Sequence, residues 1–202
     1  MTPILVAGTN SWQNDHRVDW YCPSHPFGQF LDAAGVPPAF DGAQPFIWST
    51  ALAGIPFFTK KRDWAAGGAA LAYYIISRRT ICAANTALIV HSHALQVAAY
   101  AAMNHNLKAK TLISVGSPLR EDMKIPYMSL RANVQYWLHI HSDGSDRWQW
   151  FGEMFDGHFG IVRATPYADW NDFVPDVGHS ELLRDPAQYH QWVDHHWLDR
   201  LR

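Results

Sequence analysis

The chain lacks the features that mark several large classes of protein. Its 202 residues include two cysteines, Cys22 and Cys82, which is too few for a disulfide framework of the secreted type. The 16 basic and 18 acidic residues nearly cancel, so the charge predicts no binding of nucleic acid. No apolar run is long enough to span a membrane, and the amino terminus has no signal-like basic region. We therefore expect a cytoplasmic protein with reduced thiols and no integral membrane segment.

What the chain does have is a globular composition and a regular alternation of elements. Hydrophobic residues make up 48% and charged residues 17%, which predicts one folded domain over residues 1–202. Short apolar runs alternate with helical patterns, and this order is typical of an α/β fold with a mostly parallel central sheet. The predicted strands are 4–8, 44–49, 86–92, 110–118 and 134–142, and the predicted helices are 24–35, 62–79, 94–103 and 186–201.

Polar residues gather where the predicted strands end. In open α/β sheets the chemistry lies outside the carboxyl ends of the strands, which directs attention to the segments GTN, HSH, GSP and HSDGSD. Ser92 stands between the strand TALIVH and a helix rich in alanine. Backbone N–H groups and the helix dipole converge at such a junction and favour developing negative charge, which a serine nucleophile requires. Its neighbours His91 and His93 should point away from the hydroxyl, with His91 packed inside the fold.

This segment resembles a known family. Val90-His91-Ser92-His93-Ala94 is similar to the G-x-S-x-G nucleophile elbow of α/β-hydrolases, especially small lipases and esterases, with Val90 and Ala94 at the two glycine positions. Three other segments resemble parts of the same enzymes. The segment ILVAGTNSW resembles the first strand with its oxyanion loop, LISVGSPL resembles the strand after the elbow helix, and GHSELL resembles the loop that carries the catalytic histidine. The resemblance covers nearly the whole chain and implies an α/β-hydrolase fold with about five or six strands flanked by helices.

The resemblance also implies a catalytic triad in the order serine, acid, histidine. Ser92 would be the nucleophile and His179 the general base. The acid would come from HSDGSDRWQW, where Asp146 is favoured and Asp143 is the alternative. Such an enzyme would hydrolyse carboxylic esters through an acyl-enzyme.

The oxyanion hole would use the backbone N–H of His93 and one from Thr9 or Asn10. The chemistry needs no metal or other cofactor. Aromatic loops around residues 14–26, 50–64 and 156–170 predict a small-molecule or lipid-like ester as the substrate.

Two other interpretations stay open at this point. The segment His139-Ile140-His141-Ser142-Asp143 matches the start of a histidine-rich metal motif, which favours a metal-dependent hydrolase, although Gly144 stands where the motif has its last histidine. Val90 in the elbow also allows a binding protein that has this scaffold and no catalytic turnover.

Overall fold

A computed structural model describes residues 1–8, 19–40, 46–48, 61–78, 85–142 and 164–202. The strands in these ranges are β1 (Thr2–Val6), β2 (Thr86–His91), β3 (Ala109–Val115), β4 (Val134–His141) and β5 (Trp170–Phe173). The helices are α1 (Pro26–Ala33), α2 (Lys61–Ile76), α3 (Ala94–His105), α4 (Lys124–Asn133), α5 (Glu181–Arg184) and α6 (His190–Asp194). Single 3₁₀ turns occupy Glu121–Met123, Pro186–Gln188 and Leu198–Leu201. Within the described ranges, no helix combines the length and the apolar character needed to cross a bilayer.

The five strands form one parallel sheet in the order β1-β2-β3-β4-β5. Val90 in β2 lies opposite Val6 in β1 and Ser114 in β3, and Ser114 in turn lies opposite His139 in β4. This arrangement confirms the predicted α/β class. Since all the strands run the same way, their carboxyl ends meet at one edge of the sheet.

Different helices cover the two faces of the sheet. Successive residues of each strand point to opposite faces, so neighbouring residues pack against different helices. Val90 and Leu88 belong to an apolar cluster with residues of α2, α3 and α4. Ile89 and Ala87 belong to a second cluster with residues of α1, α5 and the carboxyl-terminal turns. The uninterrupted apolar sequence of β2 is therefore explained by burial on both faces.

The glycine pair inside α2 reflects a close helix crossing. A Cβ atom on Gly68 would lie 2.7 Å from the backbone nitrogen of Ala101 in α3. A Cβ atom on Gly67 would lie 3.0 Å from the Trp48 indole. The alanines of α3 and the glycines of α2 thus let the two helices pack backbone against backbone beside the sheet.

Three parts of the chain differ from the sequence-based prediction. Segment 44–49 was predicted as a strand, but its described part, 46–48, lies outside the sheet, and the Trp48 indole N–H donates to the Ala7 carbonyl at 2.6 Å. Helix α4 and strand β5 had no counterpart in the prediction. The helix predicted over residues 186–201 is interrupted, since His196 adopts a left-handed backbone with φ 58° between α6 and the last 3₁₀ turn.

Candidate active site

Ser92 occupies a sharp turn between β2 and α3. Its φ angle is 54°, a left-handed conformation that non-glycine residues rarely adopt and that costs about 1–2 kcal/mol. The turn is held by a hydrogen bond from the Ser92 backbone N–H to the Val115 carbonyl of β3 (3.1 Å). Its side chain is half-buried, so it remains accessible from outside. A strained serine between a buried strand and a helix is the geometry of a nucleophile elbow.

The elbow forms although bulkier residues replace both glycines of the motif. Val90 and Ala94 are completely buried in the apolar cluster beneath α2, α3 and α4, which takes up their side chains. The close approach comes instead from the end of β1. A Cβ atom on Gly8 would lie 2.7 Å from the Ser92 Cβ and 3.3 Å from its Oγ. The glycine at this close approach therefore comes from the segment that follows the neighbouring strand β1.

His179 lies at the same edge of the sheet, in the loop between β5 and α5. The turn after β3 reaches it at Gly116, which has φ 54°. A Cβ atom on Gly116 would lie 3.0 Å from the His179 carbonyl oxygen and 3.4 Å from its Nδ1. Since β3 is the neighbour of β2, this contact brings the imidazole to the side of the sheet where Ser92 turns.

The loop that carries His179 is braced at both of its ends. The Gly178 N–H donates to the Glu181 carboxylate at 2.8 Å, and the Glu181 N–H donates back to the Gly178 carbonyl at 3.1 Å. Arg184, at the end of α5, makes two hydrogen bonds of 3.0 Å to the buried carboxylate of Asp19. These bonds fix the backbone around the imidazole, and they explain the Glu181 and Arg184 residues of GHSELLR.

His91, the residue before the serine, contacts the His179 loop directly. Its Nε2 lies 2.9 Å from the His179 carbonyl oxygen and 3.3 Å from the Ser180 hydroxyl, and the centroids of the two imidazole rings are 4.6 Å apart. Trp20 packs edge-on against the His91 ring at 6.0 Å. Burial lowers the pKa of His91 well below its ordinary value, and the charge of His179 acts in the same direction.

His93, the residue after the serine, is the N-cap residue of α3 and has a buried side chain. Its ring centroid lies 5.9 Å from that of Trp64, and the Arg120 guanidinium lies 5.0 Å above the same indole. Burial, together with the charges of His179 and Arg120, lowers the pKa of His93 to about 3. The imidazole next to the serine is therefore neutral at physiological pH. In the first turn of α3, the Leu95 and Gln96 backbone N–H groups donate to the Ser92 and His93 carbonyls at 3.3 and 3.1 Å.

Comparison with solved structures identifies the architecture. No protein-family model matches the chain, and no curated protein is similar to it in sequence. A methylesterase from Arabidopsis superposes with a TM-score of 0.54 at 10% identity, over 98% of each chain. The chain has the α/β-hydrolase fold.

Two further structures support the same assignment of the α/β-hydrolase fold. A dienelactone hydrolase-like promiscuous phosphotriesterase from metagenomic libraries superposes over 100% of this chain and 87% of that chain, with 14% identity and a TM-score of 0.55. A predicted CIB-like hydrolase from Thermoplasma acidophilum superposes over 98% of this chain and 86% of that chain, with 10% identity and a TM-score of 0.51.

The other predicted site residues of this α/β-hydrolase fold lie outside the described residues. They are Thr9 and Asn10, predicted for the oxyanion hole, and Asp143 and Asp146, predicted as alternative acids. Their places along the chain are informative, since Thr9 follows Gly8 directly and Asp143 follows β4 by two residues. The described residues that precede them, Gly8 and Ser142, lie just beyond the carboxyl ends of β1 and β4.

His139 and His141, the histidine pair of the predicted metal motif, pack within and beside the sheet. The His139 and His141 rings stack at 5.7 Å on one face of β4, as alternate strand positions should. His139 is completely buried, and its Nδ1 hydrogen-bonds to the Ser114 hydroxyl (2.8 Å), which also accepts the Trp137 indole N–H (2.8 Å). Over the described ranges, His, Cys, Asp and Glu side chains form no group of three that could hold a metal ion.

Among the described residues of the aromatic segments that predicted an apolar pocket, three aromatic side chains belong to the core, whereas Trp170 is 59% exposed. Trp20, Tyr21 and Trp64 are at most 1% exposed. An open depression of about 610 Å³ adjoins the loop that carries His179. It is lined by a largely polar set of residues, which comprises Gly178, His179, Ser180, Glu181, Arg184, Asp185 and Pro186. The described part of the site therefore gives no support for an apolar acyl pocket.

Sequence reasoning missed three residues that shape the site, namely Gly8, Gly116 and His91. Gly116 directly follows the apolar strand β3, and Gly8 follows β1 after one residue, which is a signal for close backbone approach at a strand end. The contact of His91 joins residues 88 positions apart, and no local pattern reveals it.

Proposed function

We propose that the chain is a serine hydrolase that cleaves carboxylic esters through an acyl-enzyme on Ser92. The observation that carries this proposal is the left-handed backbone of Ser92, at φ 54°, between β2 and α3. Residues with such strain cluster at functional sites, and this one presents a hydroxyl at the edge of the sheet where His179 also lies. The methylesterase and the phosphotriesterase that share the fold are themselves hydrolases by name, which favours the same class of reaction.

The reaction begins with proton transfer from the Ser92 hydroxyl to the imidazole of His179. The serine oxygen attacks the ester carbonyl and forms a tetrahedral intermediate. This intermediate collapses when His179 returns the proton to the leaving alcohol, and an acyl-serine remains. A water molecule, activated by the same imidazole, then releases the acid and restores the serine.

The negative charge of the intermediate needs donors that are already in place. The backbone N–H of His93 is one proposed donor, and an N–H of Thr9 or Asn10 is the other. The Ser92 N–H is committed to Val115 and serves the turn instead. Each oxyanion donor typically contributes about 3 kcal/mol to transition-state stabilisation.

An acid is required to orient His179 and to stabilise the imidazolium. We propose Asp146 for this role, with Asp143 as the alternative, since both follow β4. The kcat values of Asp146→Asn and Asp143→Asn should differ sharply. The substitution at the true acid should lower kcat by about 10⁴-fold. Equal and small losses in both variants would refute the assignment of the acid.

Labelling with a fluorophosphonate probe tests the nucleophile. Wild-type protein should be labelled and should hydrolyse p-nitrophenyl esters, whereas Ser92→Ala and His179→Ala should be inactive and folded. Ser117→Ala is the matched control, because Ser117 is a completely buried serine in the turn after the neighbouring strand, and its hydroxyl bonds to Val115.

The alternatives give distinct results in the same assay. A binding protein without turnover would show neither labelling nor hydrolysis while remaining folded, and a metal-dependent hydrolase would lose activity with a chelator and retain it in Ser92→Ala. Comparison of p-nitrophenyl esters of graded chain length would then define the acyl preference.

A further inference from the structure

His91 and Ser92 are adjacent in the sequence and have different surroundings. Residues of β2 alternate between the two faces of the sheet, so Val90 packs beneath α2, α3 and α4. The His91 ring lies on the opposite face, where it meets Trp20 and the loop that carries His179. The strand that delivers the proposed nucleophile therefore also reaches the loop that delivers the proposed base.

The hydrogen-bond partner defines the state of the His91 ring. A carbonyl oxygen can only accept, so the 2.9 Å contact with His179 requires a proton on Nε2 of His91. The Ser180 hydroxyl, at 3.3 Å, lies close enough to accept a weaker share of the same N–H. Burial disfavours a second proton, and the pKa of His91 lies well below its ordinary value.

We infer that His91 is a positioning residue, whose Nε2–H holds the backbone of His179 against the nucleophile strand and thereby sets where the base stands relative to Ser92. This inference rests on the proposed function. His91 touches neither a reacting atom nor the Ser92 hydroxyl in this role. It acts through the His179 carbonyl oxygen, which Gly116 also approaches closely.

The neutrality of His91 suits this role. During the reaction His179 becomes an imidazolium, with its ring centroid 4.6 Å from that of His91. A neutral neighbour does not oppose this charge, whereas a second cation at that distance would. A displacement of the base by about 1 Å can cost about 10²-fold in rate, so one tether to its backbone has a measurable effect.

The test compares two replacements for His91 that differ in one donor. The amide nitrogen of Gln occupies nearly the place of Nε2, so His91→Gln can still donate to the His179 carbonyl. His91→Phe keeps a ring of similar size and cannot donate. Trp20→Phe is the matched control, because it alters the aromatic packing against the His91 ring and removes neither partner of the hydrogen bond.

We expect His91→Phe to lower kcat for a p-nitrophenyl ester by about 10–100-fold with little change in KM. His91→Gln should recover kcat to within about threefold of wild type, and Trp20→Phe should match wild type. Amide hydrogen exchange over residues 177–183 should accelerate in His91→Phe and not in His91→Gln. If His91→Phe does not fold, His91→Met takes its place, since it too lacks the donor.

The outcomes separate this inference from the proposed function. If Ser92→Ala retains the wild-type rate, the proposed function fails and the inference fails with it. If Ser92 is essential and His91→Phe retains kcat, the inference alone is overturned. Equal losses of kcat in His91→Phe and His91→Gln also overturn it, because the loss would then result from replacing the imidazole and not from removing the hydrogen-bond donor.

Discussion

The buried imidazole of His93 should make the stability of the protein depend on pH. Its side chain is 7% exposed, and its pKa in the folded chain is lowered from 6.5 to about 3. Between these values the unfolded chain binds a proton that the folded chain excludes. The free energy of unfolding therefore decreases as the pH falls below about 6.5, and it stops changing on account of His93 near pH 3.

The magnitude follows from the two pKa values. Between neutral pH and about pH 4.5, the unfolded form gains nearly one proton at His93 and the folded form gains almost none. This difference lowers the free energy of unfolding by about 2.5 kcal/mol. His91 acts in the same direction, because burial also depresses its pKa. Such a loss is a large share of the 5–15 kcal/mol that is typical of a whole domain.

Urea unfolding at a series of pH values measures this effect. In His93→Gln the decrease in free energy of unfolding between neutral pH and about pH 4.5 should be smaller than in wild type by about 2.5 kcal/mol. His105→Gln is the control, since it removes an exposed histidine from the same helix and should follow the wild-type curve. A His93→Gln curve parallel to that of wild type would show that His93 is not held neutral and would refute the reasoning.

Glycine substitutions give two further predictions. Ser92→Gly should be inactive, and in urea unfolding it should be about 1 kcal/mol more stable than Ser92→Ala, because glycine adopts the left-handed backbone without strain. Equal stabilities of the two variants would contradict the presence of strain at this position. Gly116→Ala should lower kcat and stability more than Gly35→Ala does, because both glycines have positive φ but only Gly116 has His179 within 4 Å of an added Cβ. Steady-state kinetics and thermal melts check this pair, and equal effects would mean that Gly116 does not constrain His179.

The elements around Ser92 could be predicted because their signals are local. Strand β2 is apolar from end to end and is followed at once by an alanine-rich helix, so both were recognised. The end of α3 was predicted at Met103 and lies at His105, where Asn106 takes a left-handed conformation with φ 52°. Asparagine tolerates that conformation better than most residues, so Asn106 is the sequence signal that indicates the end of α3.

Other elements escaped prediction because their patterns are weak. Strand β5 is a four-residue strand at the end of the described sheet, with the sequence WNDF, and it is too short and too polar to show an apolar run. Helix α4 contains Pro126, Ser129 and Asn133, which mask its helical character. The tie between His91 and His179 depends on tertiary packing over 88 residues, and no periodicity encodes it.

The alternation along β2 has a consequence for how this chain tolerates insertions and deletions. Losing or gaining one amino acid between Thr86 and His91 would rotate every following side chain to the other side of the sheet. An imidazole would then be forced among the alanines of α3, and a valine would face the loop of His179. We expect that selection of a variant library for folding and selection of the same library for activity would both reject length changes in this strand. Substitutions that keep its length should include variants that pass the selection for folding and fail the selection for activity.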